Sequence, residues 1–84
     1  MTIDEKICEI LDEGESNLTQ MECTQLINFF KAMEFQTRMR LIRSPIYEET
    51  IGIIEYLHRT EKISESIREQ LYKTLRQAAR IQEE

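Results

Sequence analysis

The residues of this chain that could take part in catalysis or metal binding are few and scattered. There is one histidine, His58, and the two cysteines, Cys8 and Cys23, lie fifteen positions apart. A catalytic site needs a nucleophile, a base or a metal cluster held by neighbouring groups, and no spacing of His, Cys or carboxylate residues here provides one. We therefore predict that the chain is not an enzyme and that it has no catalytic residues, no metal and no cofactor.

The histidine and the cysteines each have a simple structural interpretation. His58 follows Leu57 near the predicted end of a helix, where a cation interacts favourably with the helix dipole. Cys8 and Cys23 fall on or beside predicted buried stripes, so we expect both to be small core residues. A disulfide or redox role is the alternative, but two cysteines are too few for a disulfide framework.

Length and composition bound the kind of protein. We expect one helical domain spanning residues 1–84, because single domains usually run from about 50 to 250 residues. A hydrophobic content of 40% argues against intrinsic disorder. The longest apolar runs have two or three residues, against roughly 20 for a spanning helix, and the acidic start is unlike a secretory signal. These features predict a cytoplasmic protein without a membrane segment.

Apolar residues recur at helical spacing in four segments, and no useful stretch shows the alternation of a strand. The spacing predicts an all-α fold, a small four-helix bundle, with helices over residues 3–13, 20–43, 45–58 and 64–82. Capping boxes at Thr2 and Thr19 mark the first two helix starts, and Ser44-Pro45 marks the third. Gly14 is expected to end the first helix in the left-handed conformation that glycine tolerates.

The second predicted helix carries two apolar stripes more than 100° apart. One stripe is Cys23, Leu26, Ile27, Phe30 and Met33, and the other is Met21, Phe35, Met39 and Ile42. The helix is therefore either continuous to residue 43 or bent or broken near residue 36, and the lack of Gly or Pro between Thr19 and Ser44 favours continuity. The second stripe is either covered by the first and last helices or free to bind a partner.

The third predicted helix has the widest apolar arc, about 160° on the helical wheel, which indicates the central helix of the bundle. Gly52 lies outside that arc and costs about 1 kcal/mol of stability relative to Ala. Either a close backbone approach by another segment or chance would explain a glycine at this position.

Charge is unevenly distributed along the chain. Residues 1–18 carry six acids and one base, a net charge of −5, whereas residues 19–43 have a net charge of +2 and residues 44–84 of −2, which sum to −5. The positive segment contains Arg38, Arg40 and Arg43, beside Met39 and Ile42. Arginines can pair with an acidic protein surface or with phosphate, and the alternative is a solvated helix end whose cations complement the dipole.

Nucleic-acid binding is disfavoured by the overall charge. The isoelectric point is about 4.9, whereas a DNA-binding domain commonly has a basic stripe and an isoelectric point above about 9. A helix-turn-helix drawn from the last two helices would direct Ser64, Arg68 and Gln70 at the bases. Glu65 and Glu69 would then also face the phosphates.

The leading hypothesis is a small cytosolic protein-interaction module, an adaptor, regulator or chaperone-like subunit. It acts by binding a protein partner, with an acidic surface as one possibility, and we expect it to be a homodimer. The predicted partner-binding residues are Arg38, Arg40, Arg43, Met39, Phe35, Ile42 and Met21. The alternatives are a DNA-binding transcriptional regulator and a non-catalytic subunit of an enzyme complex. No motif identifies a family.

Overall fold

Four α-helices form the part of the protein that the computed structural model describes, which is residues 2–14, 16–39 and 45–79. They are α1 (Ile3–Glu13), α2 (Gln20–Arg38), α3 (Ile46–Arg59) and α4 (Glu65–Ala78). These residues contain no β-strand, and their only bridge of that type is an isolated antiparallel one between Ser16 and Ile63. The prediction of an all-α four-helix bundle is confirmed.

Three of the helix starts are fixed by side-chain caps. Thr19 Oγ1 accepts a hydrogen bond from the Glu22 amide at 3.1 Å, and a Glu22 carboxylate oxygen accepts one from the Thr19 amide at 2.9 Å. Thr2 Oγ1 and Ser64 Oγ each cap their own helix at 3.3 Å. Helix α3 begins at Ile46, one residue later than predicted, with Pro45 as its N-cap and no side-chain cap bond. Ser44 lies outside the described residues.

Helices α2 and α4 end earlier than the sequence predicts. Helix α2 passes Gln36 without a break and ends at Arg38, where the Met39 amide donates to the Phe35 carbonyl at 3.0 Å. Residues 40–43 of the predicted helix lie outside the described residues. Helix α4 ends at Ala78 with Ala79 as its C-cap, and residues 80–82 also lie outside. Neither Arg38 nor Ala78 is followed directly by a glycine or proline, so the predicted ranges continued with the apolar period, that of the second helix as far as the Ser44-Pro45 boundary.

Gly14 follows the last residue of α1 as predicted, but the predicted left-handed conformation is wrong. Gly14 has φ −113° and ψ 176°, an extended conformation open to any residue, rather than a left-handed one. Its importance is steric, because a Cβ at this position would lie 2.5 Å from Cγ1 of Ile67. The glycine therefore lets the end of α1 pack directly on α4.

The left-handed residue of the described chain is Glu61, with φ 61°. The Glu61 amide donates to the His58 carbonyl at 3.0 Å and the Lys62 amide to the Leu57 carbonyl at 2.9 Å. This is the Schellman pattern that closes many helices, with a glutamate where glycine is more common. The same turn is joined to the α1–α2 loop, because the Asn17 amide donates to the Lys62 carbonyl at 2.8 Å.

The central pair of the bundle is α2 and α4. Each of these helices contacts all three others, whereas α1 and α3 lie on opposite sides of the pair and do not contact each other within the described residues. The prediction that the third helix is central is therefore wrong. Its apolar arc is wide because α3 packs against two neighbours, α2 and α4.

The core draws on all four helices and on the turn before α4. Its fully buried apolar side chains include Ile7 from α1, Leu26 and Phe30 from α2, Ile54 from α3, and Ile67, Leu71 and Leu75 from α4. In the turn before α4 and on one side of that helix, the apolar residues spaced four apart from Ile63 to Leu75 are all buried. No helix in the described part of the chain is long and apolar enough to cross a membrane.

Candidate protein-binding site

Large apolar side chains are exposed along one face of α2. Met21 is 73% exposed, and Phe35 and Met39 are each 56% exposed. The buried residues of this helix, Leu26, Phe30 and Met33, lie on its opposite side. Helices α1 and α4 therefore leave Met21, Phe35 and Met39, the described members of the second apolar stripe, exposed.

This exposed surface, which we call the α2 face, follows a regular spacing. Alternating intervals of four and three residues give its members, which are Met21, Gln25, Asn28, Ala32, Phe35 and Met39. All of them are exposed except Ala32, which is half-buried. Phe35 and Met39 are one helical turn apart, whereas Met21 is about 21 Å from Phe35 along the helix axis at 1.5 Å per residue. The face therefore has two apolar ends separated by polar and small side chains.

Of the three predicted arginines, the structure describes Arg38. Its side chain is 70% exposed, and Nη2 lies 3.6 Å from a carboxylate oxygen of Glu34, one turn earlier on α2. Such an exposed pair contributes little to stability, so the guanidinium can reorient towards a partner. Arg40, Arg43 and Ile42, which the sequence also predicts as partner-binding, lie outside the described residues.

A shallow cavity of about 360 Å³ adjoins Phe35 and Arg38. Its opposite wall is the start of α1, formed by Thr2, Ile3 and Asp4. Sequence reasoning missed this wall, because the meeting of the first turn of α1 with the last turns of α2 depends on tertiary packing. An apolar side chain of a partner could enter the cavity beside Phe35.

Helix α1 lies along the edge of α2 in the antiparallel direction. Lys31 Nζ lies 3.3 Å from a carboxylate oxygen of Asp4, near the start of α1 and in the second half of α2. Near the other end of α1, burial raises the pKa of the Cys23 thiol, with smaller contributions from the neighbouring Cys8 and Asp12. The acidic end of α1, formed by the exposed residues Glu9, Asp12 and Glu13, is joined to the start of α2 by residues 14–19, so in this antiparallel packing it lies at the level of the first half of α2.

The two cysteines differ in burial. Cys23 is half-buried and packs against the core, whereas Cys8 is exposed on α1. The prediction that Cys8 is a core residue is therefore wrong. Cys8 lies on the edge of α1 that faces α2 rather than on the stripe of Ile7, Ile10 and Leu11.

A second group of polar side chains joins α3 to α4. Arg68 Nη2 donates to a carboxylate oxygen of Glu55 at 2.8 Å, its guanidinium lies 5.2 Å from the centre of the Tyr72 ring, and the Tyr72 hydroxyl donates to Glu55. Hydrogen bonds from Arg68 and then Tyr72 lower the pKa of Glu55 to about 2. Burial and then the bond to Glu55 raise the pKa of Tyr72 to about 12. The contacts among Glu55, Arg68 and Tyr72 therefore connect α3 to α4.

These contacts weaken the helix-turn-helix interpretation. Arg68 is held by Glu55, Gln70 donates to Ser66 Oγ at 3.3 Å, and Ser64 caps its own helix. The three side chains that would read DNA bases are therefore engaged within the protein.

A larger cavity, of about 660 Å³, lies where the α1–α2 and α3–α4 loops meet. His58, Arg59 and Lys62 line it together with Glu61 and Glu65, so its charge is mixed. Lys62 is paired with Glu22 at 2.6 Å, and His58 Nε2 lies 3.8 Å from Glu65. Among the described residues, no three His, Cys, Asp or Glu side chains are grouped closely enough to hold a metal ion.

The α2 face remains the strongest candidate site. No protein-family model, no curated protein and no solved structure matches this chain.

Proposed function

We propose that this chain is a small cytosolic protein-interaction module, an adaptor, regulator or chaperone-like subunit that acts by binding and not by catalysis. The observation that carries the proposal is the exposure of Met21, Phe35 and Met39 on one side of α2. Exposed apolar residues that share one face are typical of protein-binding surfaces, and Met and aromatic side chains are enriched in the centres of such interfaces.

Charge supports an acidic partner. Arg38 projects beside Phe35, at the end of the only segment of the chain with a net positive charge. A guanidinium at the rim of an apolar patch steers an acidic surface towards it and sets the orientation of the complex.

A pull-down from the native host tests the proposal, with two matched aromatic substitutions. Phe35 and Tyr56 are each about half exposed, at 56% and 52%, but lie on different helices. We expect Phe35→Glu to lose a protein that both wild type and Tyr56→Glu retain, with direct binding then measured on the purified partner. Equal recovery by all three variants would refute a role for the α2 face. Recovery of DNA would favour the DNA-binding regulator. Recovery of an enzyme complex that Tyr56→Glu loses and Phe35→Glu retains would favour the non-catalytic subunit.

A further inference from the structure

The α2 face has the spacing of a helix-pairing seam. Intervals of four, three, four, three and four residues run from Met21 to Met39. This pattern keeps one side of a helix directed at a second helix over several turns. Among the described residues, α1, α3 and α4 all pack on other sides of α2, so none of these three helices covers this face.

Two copies of this face place apolar side chains opposite each other at both ends when the helices run in opposite directions. If two α2 helices pack antiparallel about a twofold axis at residue 30, each Met21 lies opposite Met39 of the second copy. Gln25 then lies opposite Phe35, and Asn28 opposite Ala32. The apolar ends therefore meet, and the small Ala32 lies near the axis, where the two backbones can approach closely.

Charge selects the antiparallel arrangement. The exposed acids Glu9, Asp12 and Glu13 lie beside the first half of α2, whereas Arg38 lies at its other end. In this antiparallel register, Arg38 lies level with Glu22 at the start of α2 of the second copy, and therefore next to the acidic end of its α1. Parallel packing would place arginine beside arginine and acid beside acid, which is unfavourable.

We propose that the protein forms an antiparallel, twofold-symmetric dimer through its α2 face, with Arg38 of each copy against the acidic end of α1 of the other. The proposal rests on the proposed function and identifies the acidic partner as a second copy of this chain, whose net charge is −5. Polar Gln25 and Asn28 on the seam fix the register at a cost in affinity. The dimer is therefore expected to dissociate in the micromolar range.

Disulfide trapping tests directly whether the two α2 helices of the dimer are antiparallel or parallel. In a chain that carries Cys8→Ser and Cys23→Ala, a single cysteine replaces either Met21 or Met39. In the antiparallel dimer, positions 21 and 39 of different copies face each other, whereas the two copies of position 21 are about 27 Å apart along the axis at 1.5 Å per residue. A disulfide needs Cα atoms within about 7 Å.

We expect mild oxidation of the mixed Met21→Cys and Met39→Cys proteins to link unlike chains, as identified by mass. Each variant oxidised alone should link no more than Tyr56→Cys, the control on α3. Links within each separate variant would show a parallel dimer and overturn the proposal, as would equal linking of the Tyr56→Cys control.

Sedimentation of chains that retain both native cysteines provides a second readout. We expect a wild-type dimer at about 100 µM, far above a micromolar dissociation constant. Arg38→Glu and Asp12→Lys should each weaken it about tenfold or more, as removal of a close charge pair does, and the double variant should regain most of the affinity. A wild-type monomer at that concentration, or absence of rescue in the double variant, would overturn the dimer. If the chain is monomeric while a different protein still binds through Phe35, the proposed function stands and only this inference fails.

Discussion

The two glycines provide a matched pair of substitutions with opposite expected effects on the free energy of unfolding. A Cβ at Gly14 would lie 2.5 Å from Cγ1 and 2.6 Å from Cδ1 of Ile67, a fully buried residue. A Cβ at Gly52, on the exposed side of α3, would have no atom within 4 Å. Alanine reduces the conformational freedom of the unfolded chain at both positions, so the comparison isolates the effect of packing.

The magnitudes follow from these distances. Gly52→Ala should stabilise the protein by about 1 kcal/mol, the usual difference between the two residues inside a helix. Gly14→Ala gains about 0.4–1 kcal/mol through the unfolded chain but loses about 1–3 kcal/mol to overpacking. We expect a net destabilisation of about 1 kcal/mol, because the core around Ile67 leaves little space for its side chain to move. At roughly 4–8 °C per kcal/mol for a domain of this size, the two melting temperatures should move in opposite directions.

Thermal and urea unfolding, followed by circular dichroism at one protein concentration, measures both changes. The double variant Gly14→Ala/Ile67→Val should lose less stability than the sum of the two single variants, since removal of Cδ1 relieves the contact at 2.6 Å, although Cγ1 remains. If Gly14→Ala stabilises the protein as much as Gly52→Ala does, then α1 does not end against Ile67 and the steric account of Gly14 is wrong.

Two further predictions concern titration. The pKa of Glu55 is depressed from 4.5 to about 2, so this group contributes stability above pH 4.5 that is lost as the pH falls towards 2. The pKa of Tyr72 is raised from 10 to about 12, so this group contributes stability that is lost as the pH rises from 10 to 12. Urea unfolding midpoints measured against pH should show both losses of stability. Glu55→Gln should reduce the loss at acid pH only in part, because the pKa of Glu22 is also lowered. An unchanged dependence on acid pH in this variant would contradict the role of Glu55. In thiol labelling at neutral pH, Cys8 should react quickly because it is exposed, and Cys23 should react slowly because it is half-buried and its pKa is raised. The slow phase should be absent from Cys23→Ala. Two fast phases in the wild type would refute the difference in burial between the two thiols.

The helix starts could be predicted because they depend on residues close together in the sequence. Thr19 and Glu22 satisfy each other's backbone amides within one turn, and Ser64 does the same for the Ile67 amide. The ends of α2 and α4 lack such a local signal, so the apolar period placed them too late. The order of the helices in space was also beyond the sequence, because a wide apolar arc indicates more than one neighbour without indicating which helix is central.

The candidate site was predictable in part for the same reason. Helical spacing placed Met21, Phe35 and Met39 on one side of α2, but only the positions of the other helices determine that this side is the exposed one. Asp4 and Asp12 lie near opposite ends of α1, and their position beside α2, next to the candidate site, could not be predicted. It depends on the antiparallel packing of α1 against α2, which the Asp4–Lys31 ion pair shows.

The α2 face and the folding core are separate sets of residues, and this makes the functional proposal testable by substitution. The core of the described chain is filled from the other side of α2, by Leu26, Phe30 and Met33. Phe35 and Met39 keep more than half of their surface in water, so their replacement by glutamate removes little buried area and should change the melting temperature of the monomer only slightly. A loss of binding in such a variant at an unchanged melting temperature therefore reports on the surface itself, whereas a loss of fold would refute the separation of the α2 face from the core.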